Sequence, residues 1–491
     1  MTYETVIGLE THVQLLTRSK MFCPCSAGYA DAEPNTHVCP ICLGMPGMLP
    51  TINRLAVEYS LVTALALHCT ISEHSKFDRK NYPYPDLMKG YQISQYDAPM
   101  GKDGYLEIEA DSQTRTIGVE RVHLEEDTAK LTHRSVPRGE GYSLVDANRA
   151  GVPLMEIVSR PNLRSPEEAR QYLIKMRSIL RYLEVSTGNM EEGSFRCDAN
   201  ISLRPQGSSE YLAKVEVKNM NSFRAVHRAM TYEARRQQDL LEAGEKIVQE
   251  TRGWDEANGI TVSQRSKEYA HDYRYFPEPD LPPLALTSGW VDELRARLPE
   301  LPDEKRDRFM AQFGLPLYDT QLLTASRNMA DYFEECIGGD REPRDKNRAK
   351  ALSNWILGDF SRLLNAEGSE IQDSLVKPEH MVELLDLVDG GRLSGPAAKT
   401  VLEETFQSGQ APALIVSQKG LAQISQSSEL EGVVEQVIAD SPQAVADYRS
   451  GKDTAIKFLV GQVMRQTRGR GNPQVVTGLL RDKLGQGVLE E

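Results

Sequence analysis

The chain has 491 residues, of which 40% are hydrophobic and 26% charged, as is typical of a folded protein with roughly three domains. This composition excludes collagen-like chains and chains that stay disordered because they have few apolar residues. The formal net charge of −14 excludes attraction of the whole surface to nucleic acid, so any such binding requires a local basic patch.

We expect no segment that directs the chain into a membrane or out of the cell. No run reaches the ~18 consecutive apolar residues that a membrane-spanning helix needs. The first residues, MTYETVI, have neither the basic nor the apolar region of a signal peptide. Seven cysteines are too few for a secreted disulfide scaffold. The sequence therefore predicts a cytoplasmic protein without membrane contact.

The sequence changes character near residue 290. Before this point, short runs with a period of two alternate with glycine and proline, whereas almost everything after it has helical periodicity. The proline-rich segment 277–283 marks the boundary. The sequence therefore predicts an α+β domain at 1–290, a helical linker domain at 291–394 and a helical tail at 395–491.

Two helices of the first domain have clear start and end signals. Ser165, Pro166 and Glu168 supply an N-cap, a proline in the first turn and a capping-box glutamate. A second helix is predicted from about 222 to 243, where Gly244 ends it. These helices and the period-two runs together indicate the α+β class.

Four of the seven cysteines form one C-x-C and one C-x-x-C pair: Cys23, Cys25, Cys39 and Cys42. Two pairs of thiolates on two turns can complete a tetrahedron around Zn²⁺. The alternative is four reduced cysteines without a ligand, although such clustering is rare by chance in a cytosolic chain. The sequence predicts a structural zinc knuckle at 23–42, with no open position for catalysis.

Four period-two runs, near residues 5–15, 120–125, 194–204 and 214–218, have one charged and one apolar face. The charged faces contain these side chains: Glu10, His12 and Gln14; Arg121, His123 and Glu125; Arg196, Asp198 and Asn200; Lys214, Glu216 and Lys218. Each strand alone is typical of a solvated surface. Together, their carboxylates and imidazoles suit a divalent cation such as Mg²⁺, and their cations suit a phosphoryl group. The sequence has no glycine-rich phosphate loop, so if the protein binds ATP, it binds ATP on this sheet.

Eight long motifs identify a family. They are GLETHVQL, CPICLGMPGMLP, FDRKNYPYPDLMKGYQISQYDAP, RVHLEEDTAK, DANRAGVPLMEIVS, EEGSFRCDANIS, VEVKNMNSF and DYRYFPEPDLPP. In this order they resemble the family of the B subunit of the aspartyl/glutamyl-tRNA(Asn/Gln) amidotransferase. The similarity extends along the whole chain, including a tail that is similar to the YqeY-type tRNA-associated module.

The resemblance implies a cradle-shaped first domain with a fold similar to the catalytic domains of glutamine synthetase and guanido kinases. It implies that this domain uses ATP and Mg²⁺ to phosphorylate the side-chain carboxylate of Glu or Asp misattached to tRNA, and that ammonia then displaces phosphate. A glutaminase, the A subunit of the same enzyme, would supply the ammonia, and a small C subunit would complete the heterotrimer. Glu-tRNA(Gln), Asp-tRNA(Asn) or both would be substrates, which the sequence does not distinguish.

The resemblance also implies roles for particular residues. The Mg²⁺–ATP site would be formed by Glu10, His12 and Glu125. Glu156 and Asp198 are the second choices for this site, and together with the first three they form the predicted catalytic set. Phosphate oxygens would be bound by Arg196, Lys214 and Lys218. The mouth of the ammonia tunnel would be lined by Lys80, Tyr82, Asp86 and Lys89, although the composition of this loop also fits a proline-stiffened turn.

The tail contains a local basic cluster. Between residues 451 and 485, seven Lys or Arg against two Asp give a charge of +5, and three of these cations lie close together: Arg465, Arg468 and Arg470. A solvated helix end also produces short basic clusters. The resemblance to the YqeY-type module favours tRNA binding through phosphate contacts.

A different class of function is a zinc-containing scaffold that binds tRNA and a partner without chemistry of its own. The charged strand faces would then be ordinary solvated surface. ATP hydrolysis that depends on misacylated tRNA distinguishes the enzyme from the scaffold.

Overall fold

The structure of the protein is a computed structural model that describes residues 2–110, 113–134, 141–208, 210–266, 273–338, 346–424, 427–452, 454–467 and 469–486. Contacts within the chain divide it into two compact units, Met1–Leu301 and Pro302–Glu491. The first unit contains a large β-sheet with helices, and the described residues of the second unit are helical. The chain is therefore a mixed α/β protein with a helical C-terminal region, as the sequence predicts.

The described residues of the first unit form four helices and strands that range from two to 14 residues in length. Its strands are β1 (Tyr3–Gln14), β2 (Thr70–Ile71), β3 (His74–Ser75), β4 (Asp78–Asn81), β5 (Tyr91–Ser94), β6 (Gly101–Ala110), β7 (Gln113–Glu126), β8 (Lys130–Arg134), β9 (Tyr142–Asp146), β10 (Pro153–Ser159), β11 (Phe195–Pro205), β12 (Val215–Met220), β13 (Glu250–Asp255), β14 (Ile260–Ser266), β15 (Phe276–Pro277) and β16 (Leu284–Ala285). Its helices are α1 (Arg54–Ala66), α2 (Pro166–Tyr182), α3 (Phe223–Glu242) and α4 (Ser288–Ala296).

Nine strands form one sheet in the order β14-β13-β12-β11-β1-β10-β7-β6-β2. Neighbouring strands in it are antiparallel, except for the parallel pair β12 and β13. A smaller sheet has the order β15-β4-β5, and β3 pairs with β16 and β8 with β9. The candidate site residues of β1 lie in the middle of the large sheet, where β1 is flanked by β10 and β11.

One face of the large sheet is apolar because its strands alternate between apolar and polar side chains. Ile7 and Val13 of β1 are fully buried, as are their cross-strand partners Ile201 of β11 and Met155 of β10. Side chains of α1, α2 and α3 pack with these residues in a single core. The other face of the sheet is left to polar side chains.

The two helices predicted in the first unit begin where the sequence indicates. Ser165 accepts a hydrogen bond from the backbone N–H of Glu168 at 3.1 Å at the start of α2. Ser222 accepts one from Ala225 at 3.0 Å at the start of α3. Gly244 follows α3 with a φ of +77°, a left-handed conformation that glycine adopts readily. Each side-chain cap satisfies a backbone donor that the helix itself cannot pair.

The second unit is built from short helices. They are α5 (Pro302–Phe313), α6 (Leu317–Leu323), α7 (Arg327–Ile337), α8 (Lys346–Trp355), α9 (Ser361–Glu367), α10 (Pro378–Asp389), α11 (Gly395–Ser408), α12 (Pro412–Lys419), α13 (Ser427–Asp440), α14 (Pro442–Arg449), α15 (Thr454–Gln466) and α16 (Pro473–Gln486). A π-helical turn at Ile356–Phe360 joins α8 to α9, and a 3₁₀ turn lies at Ile371–Asp373. Within the described ranges, no helix combines the length and the apolar character needed to cross a bilayer.

The hydrophobic cores divide the chain at other residues than the domain boundaries predicted from the sequence. The first unit continues past residue 290 to Leu301, because Val291 and Leu294 of α4 pack into its core. The predicted boundary at 394 falls inside the second core, which includes Val401 of α11 and Ile415 of α12. Periodicity marks helices but does not show which core their apolar faces join.

A third core is formed by the last helices alone. Buried side chains from α13, α15 and α16, among them Leu430, Leu459 and Leu480, pack together. The segment with its own core therefore begins near residue 427, within the tail predicted at 395–491.

We expect the third core to be removable without unfolding the second. A chain ending at residue 426 keeps α11 and α12, whereas a chain ending at residue 394 loses their buried side chains, each worth about 1.5–3 kcal/mol. The shorter chain should therefore show a lower melting temperature and faster proteolysis of α5–α10. Equal melting and proteolysis of the two truncated proteins would contradict the assignment of α11 and α12 to the second core.

Candidate functional site

The polar face of the large sheet collects side chains from adjacent strands. His12 of β1 lies opposite Glu156 of β10 and Arg196 of β11. Glu156 in turn lies opposite His123 of β7. Because residues directly opposite each other share a face, the strand faces predicted for β1, β7 and β11 are confirmed.

Two imidazoles and two carboxylates meet on this face. His12 Nε2 lies 3.5 Å from Glu156 Oε2 and 3.9 Å from Glu125 Oε1. His123 Nε2 lies 3.3 Å from Glu156 Oε2 and 4.0 Å from Glu125 Oε2. Glu125 and Glu156 are only 3% and 7% exposed. Two buried carboxylates this close together require positive charge to stay ionised.

The electrostatics of the group favour a cation. Burial alone would lower the pKa of His12, but its hydrogen bond to Glu156 and the charges of Glu156 and Glu125 raise that pKa to about 9. Burial would raise the pKa of Glu156, but His123 and His12 hold it well below its usual range. At neutral pH the proton on His12 therefore supplies positive charge to these carboxylates.

The same geometry fits a divalent metal ion. Ligand atoms of His12, Glu125 and Glu156 all lie within 4.8 Å of one another. An ion such as Mg²⁺, which binds ligands at about 2.1 Å, needs its ligand atoms about 3–4.2 Å apart. Small side-chain rotations would therefore close the group around the ion, which would replace the positive charge of the His12 proton.

Glu10 lies on the same face but outside the group of His12, Glu125 and Glu156. Glu156 occupies the place in this group that was predicted for Glu10. Glu10 Oε1 accepts a hydrogen bond from Asn200 Nδ2 at 2.9 Å. Burial and the charges of Glu156 and Asp198 raise the pKa of Glu10. Additional positive charge beside Glu10 would therefore favour its ionised form.

Two of the cations predicted to bind phosphate are paired with carboxylates. Lys218 Nζ lies 2.5 Å from Asp198 Oδ2 and 3.3 Å from Glu216 Oε1. Arg196 donates to Asp127 Oδ2 at 2.8 Å, whereas its buried Nε has no hydrogen-bond partner in the described structure. The face thus presents cations whose positions are fixed by neighbouring acids.

Asp127 is a residue of the site that alternation did not identify. It follows β7 directly and is 3% exposed. Its carboxylate also accepts a hydrogen bond from Gln14 at 2.7 Å, and Arg149 Nε lies 3.7 Å away. Against the effect of burial, Arg196 and Arg149 lower the pKa of Asp127. The only signal was its place in the run Glu125-Glu126-Asp127, because alternation ends with the strand.

A cavity of about 400 Å³ opens beside Glu10 on the polar face. Its lining combines apolar side chains with a few polar ones, including Val6, Leu9, Val158, Tyr211, Leu212, Asn200 and Lys214. Volume and lining are typical of a pocket for a small organic ligand. Lys214, the third cation predicted to bind phosphate, therefore lies in the wall of this cavity.

The loop predicted to form the tunnel mouth is attached to the end of β7. Lys89 Nζ lies 2.6 Å from Glu126 Oε1, which also accepts the backbone N–H of Ile93 at 2.9 Å. The Asp86 carbonyl accepts the N–H of Ala129 at 2.9 Å, while the buried Asp86 Oδ1 has no hydrogen-bond partner among the described residues. The loop thus brings polar groups to the edge of the carboxylate group.

Lys80, from β4 of the smaller sheet, also lies near the carboxylate group. Its ammonium lies 5.8 Å from the ring centroid of Tyr82. Burial opposes its charge, but Glu125, Tyr275 and Glu156 together raise the pKa of Lys80. No carboxylate of the described chain lies within ion-pair distance of this ammonium, so its charge acts on the group from a distance.

The four clustered cysteines also meet. Their Sγ atoms all lie within 4.8 Å of one another, and those of Cys39 and Cys42 are 3.9 Å apart. Zn–S bonds of about 2.3 Å in a tetrahedron require sulfur atoms about 3.8 Å apart. A hydrogen bond from Cys23 lowers the pKa of Cys42 and raises that of Cys23, so the two share a proton that zinc would displace. The cluster fits zinc.

Lys20 places a buried positive charge beside these sulfurs. It is 1% exposed, and its ammonium donates to the carbonyl of His37 at 2.8 Å and lies 3.7 Å from Cys42 Sγ. A tetrathiolate zinc site has a net charge of −2, which a neighbouring ammonium offsets. Sequence analysis missed this residue because a single lysine before a cysteine motif has no distinctive spacing.

The knuckle touches the loop of Lys89 through a glycine. Gly44 has a φ of +67°, and a Cβ placed there would lie 2.6 Å from Lys89 Cγ and 2.9 Å from Lys89 Cα. Only glycine therefore fits this approach without displacing Lys89.

Of the three arginines predicted to bind tRNA, Arg465 and Arg470 are exposed. Arg465 lies at the end of α15, and Arg470 lies in the connection to α16. The carbonyl of Arg470 accepts the N–H of Ile424 at 2.7 Å, which fixes the connection. Arg468 lies outside the described residues.

We expect one zinc ion per chain, bound by the knuckle. Replacing Cys39 and Cys42 with Ser should remove the metal and lower the melting temperature, because a hydroxyl is a poor zinc ligand and the loop loses its cross-link. The matched control is Cys336→Ser, since Cys336 is buried far along the sequence in the second core. Elemental analysis that finds no zinc in wild-type protein prepared without chelators would refute the assignment.

Known proteins are similar to this chain along almost its whole length. Residues 5–292 match the family model described as the GatB/GatE catalytic domain, and residues 331–484 match the GatB domain. The B subunit of the aspartyl/glutamyl-tRNA(Asn/Gln) amidotransferase of Dehalococcoides mccartyi (strain CBDB1) is 56% identical over 490 residues, which cover 99% of both chains. Proteins of the same name from Carboxydothermus hydrogenoformans and Thermomicrobium roseum are each 55% identical and cover 99% of this chain, and 99% and 100% of their own. The resemblance in the sequence is thereby confirmed, and the chain belongs to the family of the B subunit of the aspartyl/glutamyl-tRNA(Asn/Gln) amidotransferase.

Proposed function

We propose that this chain is the component of a glutamine-dependent amidotransferase that converts misacylated Glu-tRNA(Gln), Asp-tRNA(Asn) or both into Gln-tRNA(Gln) and Asn-tRNA(Asn), in the cytoplasm. The names of its relatives support the reaction. We assign the reaction to the large sheet because His12, Glu125 and Glu156 form a buried group there, beside a cavity of about 400 Å³. We further propose the glutaminase A subunit and the small C subunit as partners, and a cradle fold similar to glutamine synthetase and guanido kinases.

The first half of the proposed reaction is phosphoryl transfer from ATP. His12, Glu125 and Glu156 would hold Mg²⁺, which when bound neutralises triphosphate oxygens. The cavity lined by Lys214 would take the nucleotide. A carboxylate oxygen of the misattached residue attacks the γ-phosphorus, the bond to the β-phosphate oxygen breaks, and ADP leaves with that electron pair. The product is an acyl phosphate.

The second half is amide formation. The lone pair of ammonia attacks the acyl carbon, the bond from carbon to the phosphate oxygen breaks, and phosphate leaves with its electrons. One proton passes from nitrogen to the departing phosphate, which leaves as hydrogen phosphate, and the amide forms. Arg196 and Lys218 would stabilise the departing phosphate, since Asp127 and Asp198 hold them on this face. The Lys89–Glu126 pair and Asp86 would line the ammonia path.

A scaffold without chemistry is less well supported. Solvated surface carboxylates are exposed and spread apart, whereas Glu125 and Glu156 are 3% and 7% exposed and face two imidazoles. Burying such a group costs stability, so an idle surface would gain nothing from it. Clusters of perturbed, buried ionisable groups are typical of active sites.

Glu125→Gln tests the proposal in the assembled complex. Losing one ligand charge should lower tRNA-dependent amidation by about 10²-fold or more, while glutaminase turnover by the partner stays measurable. Glu107→Gln is the matched control, because Glu107 is exposed on β6. Full amidation by Glu125→Gln at ordinary Mg²⁺ would overturn the assignment of this group.

We propose that the tail binds tRNA through phosphate contacts. Support comes from the exposed Arg465 and Arg470 in a segment with a charge of +5. Such contacts give affinity without reading bases, so selection would depend on tRNA shape.

Salt dependence tests this role of the tail. Each phosphate that Arg465→Ala or Arg470→Ala no longer binds should reduce the slope of log affinity against log salt by roughly 0.7–0.9. Arg295→Ala, an exposed arginine of the first unit paired with Asp292 at 2.6 Å, is the control. Unchanged affinity and slope in the double mutant would make the cluster a solvated surface.

A further inference from the structure

Three tyrosines form an aromatic surface beside the candidate site, and two of their rings stack. Tyr96 follows β5, while Tyr273 and Tyr275 precede β15 in the DYRYFPEPDLPP motif. The rings of Tyr96 and Tyr275 stack with centroids 4.3 Å apart at an angle of 11°. The ring of Tyr273 lies 6.1 Å from that of Tyr275 at 70°. We name Tyr96, Tyr273 and Tyr275 the aromatic shelf.

The shelf is not part of a hydrophobic core. None of its three rings belongs to the core clusters of the described residues. Tyr96 is 62% exposed even though one face of its ring rests on Tyr275. The other face of Tyr96 is therefore open to solvent and can accept another flat group.

The shelf is held rigidly. The N–H of Tyr96 donates to the buried Asp78 carboxylate at 3.0 Å. Arg274, between the other two tyrosines, has a φ of +45°, a strained conformation for a residue with a side chain. Asn81 supports it, since its backbone N–H and its side-chain amide donate to the carbonyls of Tyr273 and Arg274, each at 2.9 Å. Strain of this kind persists where the surrounding structure fixes it.

The shelf and the carboxylate group share a cation. Lys80 Nζ lies 5.0 Å from the ring centroid of Tyr273, and the charges of Glu125 and Glu156 act on it. The smaller sheet is also joined to β7 directly, because Ser94 Oγ donates to Glu125 Oε2 at 3.3 Å. The shelf therefore has a fixed place next to the group.

The shelf reaches the group from the smaller sheet and not through the nucleotide cavity. The side chain of Gln95, which precedes Tyr96, accepts the backbone N–H of Leu124 at 2.9 Å, between His123 and Glu125 of the group. The cavity opens farther along β7, at Glu120, and its described lining includes no residue of the smaller sheet. A second ligand on the shelf would therefore approach the group by a route separate from that of ATP.

We propose that the aromatic shelf stacks the 3′-terminal adenine of the misacylated tRNA. The inference rests on the proposed function, because it names where that substrate binds. The acyl group is joined to the ribose of this terminal nucleoside, so fixing the base limits where the carboxylate can lie. Unpaired RNA bases stack on exposed aromatic rings, and a cation such as Lys80 suits the nearby negative charge.

A fluorescent base measures the stacking directly. In the assembled complex, tRNA with 2-aminopurine as its 3′-terminal base should be quenched by wild-type protein and by Tyr96→Phe, which keeps the ring. Tyr96→Ala should lose the quenching while total tRNA binding persists. Tyr105→Ala is the matched control, since Tyr105 is also exposed and stacks on His68 at 4.3 Å.

Kinetics provide a second measurement. Tyr96→Ala should raise KM for misacylated tRNA roughly five-fold or more, with KM for ATP and glutaminase turnover unchanged. Three results would each overturn the proposal. The first is unchanged quenching and unchanged KM in Tyr96→Ala. The second is a loss of quenching in Tyr96→Phe or Tyr105→Ala as large as that in Tyr96→Ala, and the third is impaired assembly of Tyr96→Ala with the partner subunits. If Glu125→Gln amidates normally and quenching still depends on Tyr96, the proposed catalytic group fails but the shelf stands.

Discussion

The pairing of β1 with its two neighbours determines the chemistry of the first unit. Side chains alternate along a strand, so a slip of one residue would turn His12 into the core and Val13 onto the polar face. The antiparallel register with β11 runs from Tyr3 to Val13, and that with β10 from Glu10 to Gln14. The buried residues on the apolar face fix this register, and the positions of the polar side chains follow from it.

The polar face then has to balance its own charges. Carboxylates as buried as Glu125 and Glu156 lose most of their hydration, which is costly without compensating charge. The proton on His12, whose pKa is raised to about 9, supplies such charge in the protein alone, and a divalent ion bound by the group would supply more of it. The ion would then take the place of that proton, because histidine binds a metal through an unprotonated nitrogen.

The sequence was sufficient for the strand faces but not for the way in which strands combine. Period two correctly assigned His12 and Glu125 to polar faces, because alternation is a local property. Which carboxylate completes the group depends on the neighbours of β1 in the sheet, and β10 brings in Glu156 where Glu10 was expected first. Asp127 was missed because it lies just past the end of a strand. The cores begin and end at other residues than the predicted domain boundaries, because helical periodicity does not reveal which core a helix joins.

Gly44 links the cysteine knuckle to the carboxylate group, two places in the fold that share no ligand side chain. Gly44 rests against Lys89, and Lys89 is paired with Glu126 next to the carboxylate group. Whatever holds the knuckle in shape therefore also restricts Lys89. Coupling free energies are reciprocal: if the cysteines bind zinc, a substrate that binds only when Lys89 is held in this place must raise their affinity for zinc by the same factor. The affinity of the knuckle for zinc would in that case report the occupancy of a site in which zinc takes no part.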